Sequence, residues 1–174
     1  MVNFREKMLS FRHLCYKNGY LFAAFLIPVI LMGIAYISFG IYPFGGRSVL
    51  SLDLNAQYVF YFDYVHDVIG NGESLMYSWS RNLSGEFMGI IGYYLASPFN
   101  ILVWIFPRSM ITEGLLTMML AKFGACGVTF ALFAHKSQKL SKTTAALFAP
   151  MYALCAYMIV QTICLLYTSD AADD

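Results

Sequence analysis

The chain alternates long apolar stretches with shorter polar ones. From Tyr20 to Ile41, 22 residues pass without a charged side chain; as a helix rising about 1.5 Å per residue they reach roughly 33 Å, enough to cross about 30 Å of hydrocarbon. A second stretch, Met110 to Ala134, is also long enough to cross and carries Lys122 near its middle. A third starts at about Thr144 and runs to Ile163. The pattern predicts an all-α integral membrane protein, a polytopic helical bundle fragment with three spans at about 20–41, 110–134 and 144–163.

The polar-rich region 42–109 is expected to hold interfacial helices. Pro43-Phe44-Gly45-Gly46 is a turn that releases the chain from the bilayer, with Arg47 in the headgroup zone and Asp53 following at the membrane surface. Leu50, Leu54, Tyr58, Tyr61 and Val65 recur at helical spacing while Asp53, Gln57, Asp63 and Asp67 occupy other faces, which predicts an amphipathic helix from about Val49 to Ile69, ended by Gly70-Asn71-Gly72. Residues Ser78 to Gly85 read as a polar loop. Gly89 to Pro107 has nearly the length of a span, but Ser97-Pro98 and Asn100 interrupt it and its Tyr and Trp favour the interface. It is therefore expected to be a broken interfacial or re-entrant element.

Charge sets the expected orientation. Residues 1–18 hold Arg5, Lys7, Arg12 and Lys17 against a lone Glu6, an amphipathic lead-in, and Lys136, Lys139 and Lys142 lie between the second and third spans. Basic residues mark cytoplasmic loops, and two such loops require an even number of crossings between them. The N-terminus and the lysine loop then face the cytoplasm, and the 68 residues of 42–109 form a large outer loop with three basic and five acidic residues. The first span is too long for a signal-peptide core and ends without a cleavage site.

Composition agrees: of 174 residues, 59% are hydrophobic and only 12% charged, which excludes an ordinary soluble domain. The net charge of +1 gives no reason to expect nucleic acid. The four Cys have no metal-type spacing, which argues against a zinc site and against disulfides. Cys164 to Asp174, CLLYTSDAADD, resembles residue for residue the translation of a transposase sequencing adapter, so 164–174 is read as a non-native tail. Without Asp170, Asp173 and Asp174 the chain carries 11 Lys+Arg against 7 Asp+Glu.

Pro43-Phe44-Gly45, Asp53 with Gln57-Tyr58, Tyr77-Ser78-Trp79-Ser80-Arg81-Asn82 followed by Gly85, and Tyr93-Tyr94-Leu95-Ala96-Ser97-Pro98-Phe99-Asn100 occur in that order. Together they resemble the N-terminal region of the YfhO family of large bacterial membrane proteins, over essentially all of residues 15–163. That family is related to the C-type glycosyltransferases, which use polyprenyl-phosphate-linked sugars, and is implicated in glycosylating cell-wall polymers such as teichoic acids. In such enzymes the first outer loop opens with an acidic residue just after the first span, the place Asp53 occupies. The resemblance implies a lipid bilayer, a polyprenyl-phosphate sugar donor and a cell-envelope polymer acceptor as partners, and a multi-pass place in the bacterial plasma membrane. It also implies that residues 1–163 are the N-terminal part of a larger enzyme and inactive alone.

The chemistry is assigned on that basis. Attack of a hydroxyl on an anomeric carbon needs a base, and Asp53 is the candidate; its other reading is a helix N-cap. The leaving phosphate needs cations: Arg81, flanked by Trp79 and Asn82, is the first candidate, Arg47 fits a headgroup anchor better, and Lys122 is either substrate-facing or paired with an acid on another helix. Gln57 and Tyr58 belong to the Asp53 motif, and Trp79 and Tyr93 offer rings for a sugar, Tyr93 also fitting an interface anchor. His66, Asp67 and Asp63 with Asp53 could bind a divalent ion or simply form a solvated face; no metal ligand is assigned, and the cofactor is left open, the sequence allowing a divalent metal without requiring one. A transporter or flippase component, with Asp53 and Lys122 lining a path, and a non-catalytic scaffold are the competing readings.

Overall fold

In a computed structural model the structure describes residues 4–48, 58–72, 74–78 and 85–163, with side chains from Asn18 onward except those of Tyr93, Tyr94, Gln161 and Ile163. The protein is mostly helical. Two helices are long and apolar enough to cross a membrane, over Asn18–Ser38 and Arg108–Lys136. Contacts divide the chain into two compact units, Met1–Ile34 with Phe123–Met158, and Ala35–Lys122 with Ile159–Asp174.

Helix α1, Phe4–Ser38, is continuous: the basic lead-in expected to precede the first span is its first turns. Phe22, Leu26, Ile30, Leu31, Ile34 and Ile37 stay exposed on it, as suits a helix solvated by lipid. It stops three residues before Ile41 because Gly40 takes a left-handed conformation at φ 62°. The amide of Ile41 then bonds the Tyr36 carbonyl at 2.9 Å and that of Gly40 the Ile37 carbonyl at 3.0 Å, closing the helix end. The turn folds back on itself, with Arg47 N–H donating to Gly40 O at 3.0 Å and Tyr42 N–H to Arg47 O at 2.7 Å. A Cβ on Gly45 would stand 2.7 Å from Gly40 Cα, so this position needs glycine.

In the first unit the α1 segment packs against α5, Ile111–Lys136, and α6, Lys142–Ala153. The core here is alanine: Ala24, Ala131, Ala134, Ala145 and Ala149. Small residues let helix backbones approach closely, the means of association open to helices in lipid. Gly124 lies under the Phe25 ring and Gly127 against the Ala24 carbonyl, with Pro28 Cγ 3.1 Å from where its Cβ would be. These pairings and the Tyr20–His135 ring contact at 5.4 Å make α1 and α5 antiparallel within this unit. The α5–α6 connection turns through Lys139 at φ 56°. The Ser141 side chain accepts from Thr144 N–H at 3.1 Å, starting α6.

The stretch expected as a third span is two helices, α6 and α7, Ala156–Ile163, separated at Leu154-Cys155. Pro150 has no N–H, and the Leu154 and Cys155 amides bond back to Pro150 O and Tyr152 O. At 12 and 8 residues, neither piece is long enough to cross alone.

The second unit is built on the start of α5. Helix α2, Val59–Asn71, ends with Gly72 in the left-handed region, as its Gly70-Asn71-Gly72 predicts. It buries Phe62, Val65 and Val68, with Tyr61 of the predicted apolar face partly buried against the same core; the expected beginning of this helix at Val49 lies outside the described residues. A two-stranded ladder at the two ends of the predicted polar loop, β1 (Tyr77–Ser78) and β2 (Gly85–Glu86), is an addition to the all-helical expectation. Gly89 to Pro107 is broken as predicted: α3, Met88–Ile90, runs into a π-helical turn, Ile91–Leu95, and Pro98–Asn100 leads into α4, Ile101–Ile105. These short pieces and α2 bury Tyr58, Phe62, Val65, Phe87, Ile90, Leu95 and Val103 against Ile111, Leu115, Met118 and Met119 of α5.

Candidate functional site

Two polar contacts of the second unit fasten other segments to the start of α5, one from α2 and one from the turn after α1. Arg108 enters through Pro107, whose extended backbone (ψ 156°) ends α4 and opens the turn into α5. Asp63 and Asp67, four apart on α2, share a face, and Arg108 grips both: Nε and Nη2 reach the two Asp63 oxygens at 2.5 and 2.7 Å, and Nη1 bonds Asp67 Oδ1. This is fork-to-carboxylate geometry that lysine cannot make. The cluster is open to solvent, with 52% of the Arg108 side chain exposed.

Close by in sequence, the Tyr42 hydroxyl donates to Glu113 Oε1 at 2.8 Å, joining the turn after α1 to the first turn of α5. The carboxylate suits the positive end of a helix. Its hydrogen bond and negative charge raise the Tyr42 pKa above its ordinary value of 10.0, because a phenolate would lose the bond and face a like charge. Neither Arg108 nor Glu113 stood out in the sequence as a functional residue. The i, i+4 spacing of the two aspartates was legible, but their partner lies 41 and 45 residues away and no local pattern points to it.

Of the residues assigned from sequence, Asp53, Gln57, Trp79 and Arg81 lie outside the described residues, and of Tyr93 only the backbone is described, within the π-helical turn. Tyr58 belongs to the core of the second unit at 1% exposure. Lys122, on α5, has its Nζ buried with no hydrogen-bond partner among the described residues, and His66 Nε2 and the Tyr36 hydroxyl share that condition. The structure thus brings Asp63 and Asp67 to Arg108 and joins neither to an assigned residue. Their carboxylates are occupied by the guanidinium, and among the described residues no group of three or more His, Cys, Asp or Glu is placed to hold a metal ion.

A family described as the bacterial membrane protein YfhO matches residues 23–172, most of the chain, from the first span onward. The chain belongs to the YfhO family. It is accordingly a bacterial membrane protein, in keeping with its two span-length apolar helices. The YfhO match includes residues 164–172, most of the 164–174 stretch set apart in sequence as adapter-like. No curated protein and no solved structure matches the chain.

Proposed function

We propose that this YfhO-family chain is the N-terminal part of a membrane glycosyltransferase that moves a sugar from a polyprenyl-phosphate-linked donor to a cell-envelope acceptor such as teichoic acid, at the outer face of the plasma membrane. The observation that carries the reading is family membership over residues 23–172, with Asp53 following the first span in sequence. Asp53 acts as the base that takes the acceptor proton. Arg81 and Lys122 offer charge to the departing phosphate, and Gln57, Trp79 and Tyr93 are proposed to contact the substrates, whereas Tyr58, buried in the core of the second unit, supports that region from within. The N-terminus and the lysine loop lie in the cytoplasm, 42–109 forms the outer loop, and α6 with α7 together make the third crossing. Residues 164–174 are proposed to be adapter-derived; reading the genomic locus past Ile163 decides that point.

The test is Asp53→Asn in the full-length protein, assayed for sugar transfer from a polyprenyl-phosphate donor. Loss of a general base lowers turnover by about 10² to 10⁴ at unchanged expression. Undiminished turnover removes Asp53 from the chemistry.

A second reading, a transporter or flippase component, draws support from Lys122. An ionisable group within a span ordinarily faces a protein interior or a watery path, and Nζ here is buried without a partner among the described residues. Lys122→Met abolishing lipid translocation while sugar transfer continues would favour it.

A further inference from the structure

Two cysteines of the first unit come opposite each other at the break between α6 and α7. On α5, Cys126, Phe130 and Ala134 follow one another at i+4 spacing and so lie along one row of the helix. On α6, Ala145, Ala149 and Tyr152 follow at i+4 and i+3, and the same row continues to Cys155. The two rows pack antiparallel: Ala134 and Ala145 share a core cluster with Ala131 and Ala149, and the Phe130 and Tyr152 rings stack with centroids 4.7 Å and planes 17° apart. The next step along both rows is Cys126 and Cys155.

Cys155 keeps its place on this row although α6 has ended. The Leu154 amide bonds Pro150 O at 2.9 Å and the Cys155 amide bonds Tyr152 O at 3.3 Å, so the chain winds on through one tightened turn and carries Cys155 a turn beyond Tyr152. Alanines at the interface let the backbones approach closely, as a disulfide requires, since its Cα atoms must come within about 7 Å. Both thiols are free and half-buried, and a charge on Cys155 is felt at Cys126. Cys155 also directly precedes α7 and so stands at the positive end of that helix, a setting that suits the anionic sulfur through which thiols react. The spacing of cysteines along the chain does not announce this pair, because packing alone brings it together.

We infer that Cys126 and Cys155 form a peroxide-responsive dithiol, a reversible modification site that ties the α6–α7 break to α5 when oxidised. The oxidant is a small neutral peroxide, which enters apolar surroundings that exclude a charged reagent. One sulfur gives an electron pair to a peroxide oxygen; the O–O bond breaks, one water leaves, and that sulfur holds a hydroxyl as a sulfenic acid. The second sulfur then attacks the first. The S–S bond forms, the S–O bond breaks, and the departing hydroxyl takes the remaining thiol proton as a second water. Two thiols and one peroxide thus give one disulfide and two waters. The inference rests on neither functional reading above.

Hydrogen peroxide treatment of the full-length protein in nanodiscs, followed by peptide mass mapping, decides it. Wild type is expected to give the linked Cys126–Cys155 peptide, undone by dithiothreitol, with little sulfenic acid left for dimedone to trap. Cys126→Ser and Cys155→Ser each remove the resolving sulfur, so the linked peptide is lost and the remaining cysteine gathers the dimedone adduct, about tenfold or more above wild type. Oxidation should also slow hydrogen exchange of the Leu154–Met158 amides in wild type and leave it unchanged in both variants. Unfolding midpoints of the reduced proteins establish that the serine variants fold; Cys126→Ala or Cys155→Ala replaces one that does not. Equal dimedone labelling of wild type and variants overturns the proposal. So does a disulfide that copper-phenanthroline forms and peroxide does not, which would show proximity without the reaction. Exchange indifferent to the disulfide would refute the tie between the break and α5.

Discussion

At the scale of single residues, the molecule gives its polar side chains two unlike treatments. Arg108 is fully engaged and open to water, whereas Lys122 Nζ is buried with no partner among the described residues. The Arg108 cluster rests on the planar fork, so Arg108→Lys keeps the charge and loses simultaneous contact with both aspartates. Hydrogen exchange of the Val59–Asn71 amides is expected to quicken in that variant and to quicken in wild type with added salt, which screens exposed pairs. Exchange indifferent to both changes would show that apolar burial of Phe62, Val65 and Val68 alone holds α2. Tyr42 offers a pH-dependent counterpart. Its raised pKa means that the bond to Glu113 contributes at neutral pH and is lost only as pH rises through a value above 10.0, and Glu113→Gln should move the phenol titration back down, as read by ultraviolet absorbance.

At the scale of elements, hydrophobic periodicity revealed what local chemistry decides and missed what distant partners decide. The first two spans, the stop at Gly70-Asn71-Gly72 and the break at Ser97-Pro98 were all legible, because length, left-handed glycine and a missing proline N–H act within a few residues. The division of the third stretch at Leu154-Cys155 was not, because uninterrupted apolar character masks a backbone break, and Pro150 lies inside α6, not at its end. The full burial of Phe62 beside a partly buried Tyr61 depends on which face α5 covers, and the Arg108 clamp depends on a contact far along the chain. The packing itself is open to test. Phe130 stacks on Tyr152 with centroids 4.7 Å apart, so one turn back on α5 and three residues on from Tyr152 the antiparallel register sets Cys126 opposite Cys155. Copper-phenanthroline treatment of a variant retaining only these two cysteines should yield the intrachain disulfide, identified by peptide mass, and failure to form it would refute the register. Gly127→Ala is expected to cost about 1 to 3 kcal/mol, since its Cβ would press on the Ala24 carbonyl and Pro28.

At the scale of the whole molecule, the proposed chemistry depends on which side of the membrane the second unit's polar cluster faces. The charge argument is simple. Four basic residues before the first span and three lysines after the second favour the cytoplasm at both ends of a two-crossing hairpin, which sends 42–109 outside. The helical pieces of Gly89 to Pro107 are each shorter than a membrane crossing, as α6 and α7 are, so the side of the membrane is read by labelling and not by length. Single cysteines placed at exposed Ser74 and exposed Ser137, in full-length protein otherwise free of cysteine, convert the argument into a measurement with a membrane-impermeant maleimide on intact cells. Position 74 should label before lysis and position 137 only after it. The reverse pattern would put Asp53 in the cytoplasm, away from the proposed outer-face reaction, and leave the transport reading in possession of Lys122. Labelling of both positions from outside would require a further crossing within 42–109, made by helical pieces that then have to satisfy their broken backbone against protein or water, because lipid offers no hydrogen-bond partner.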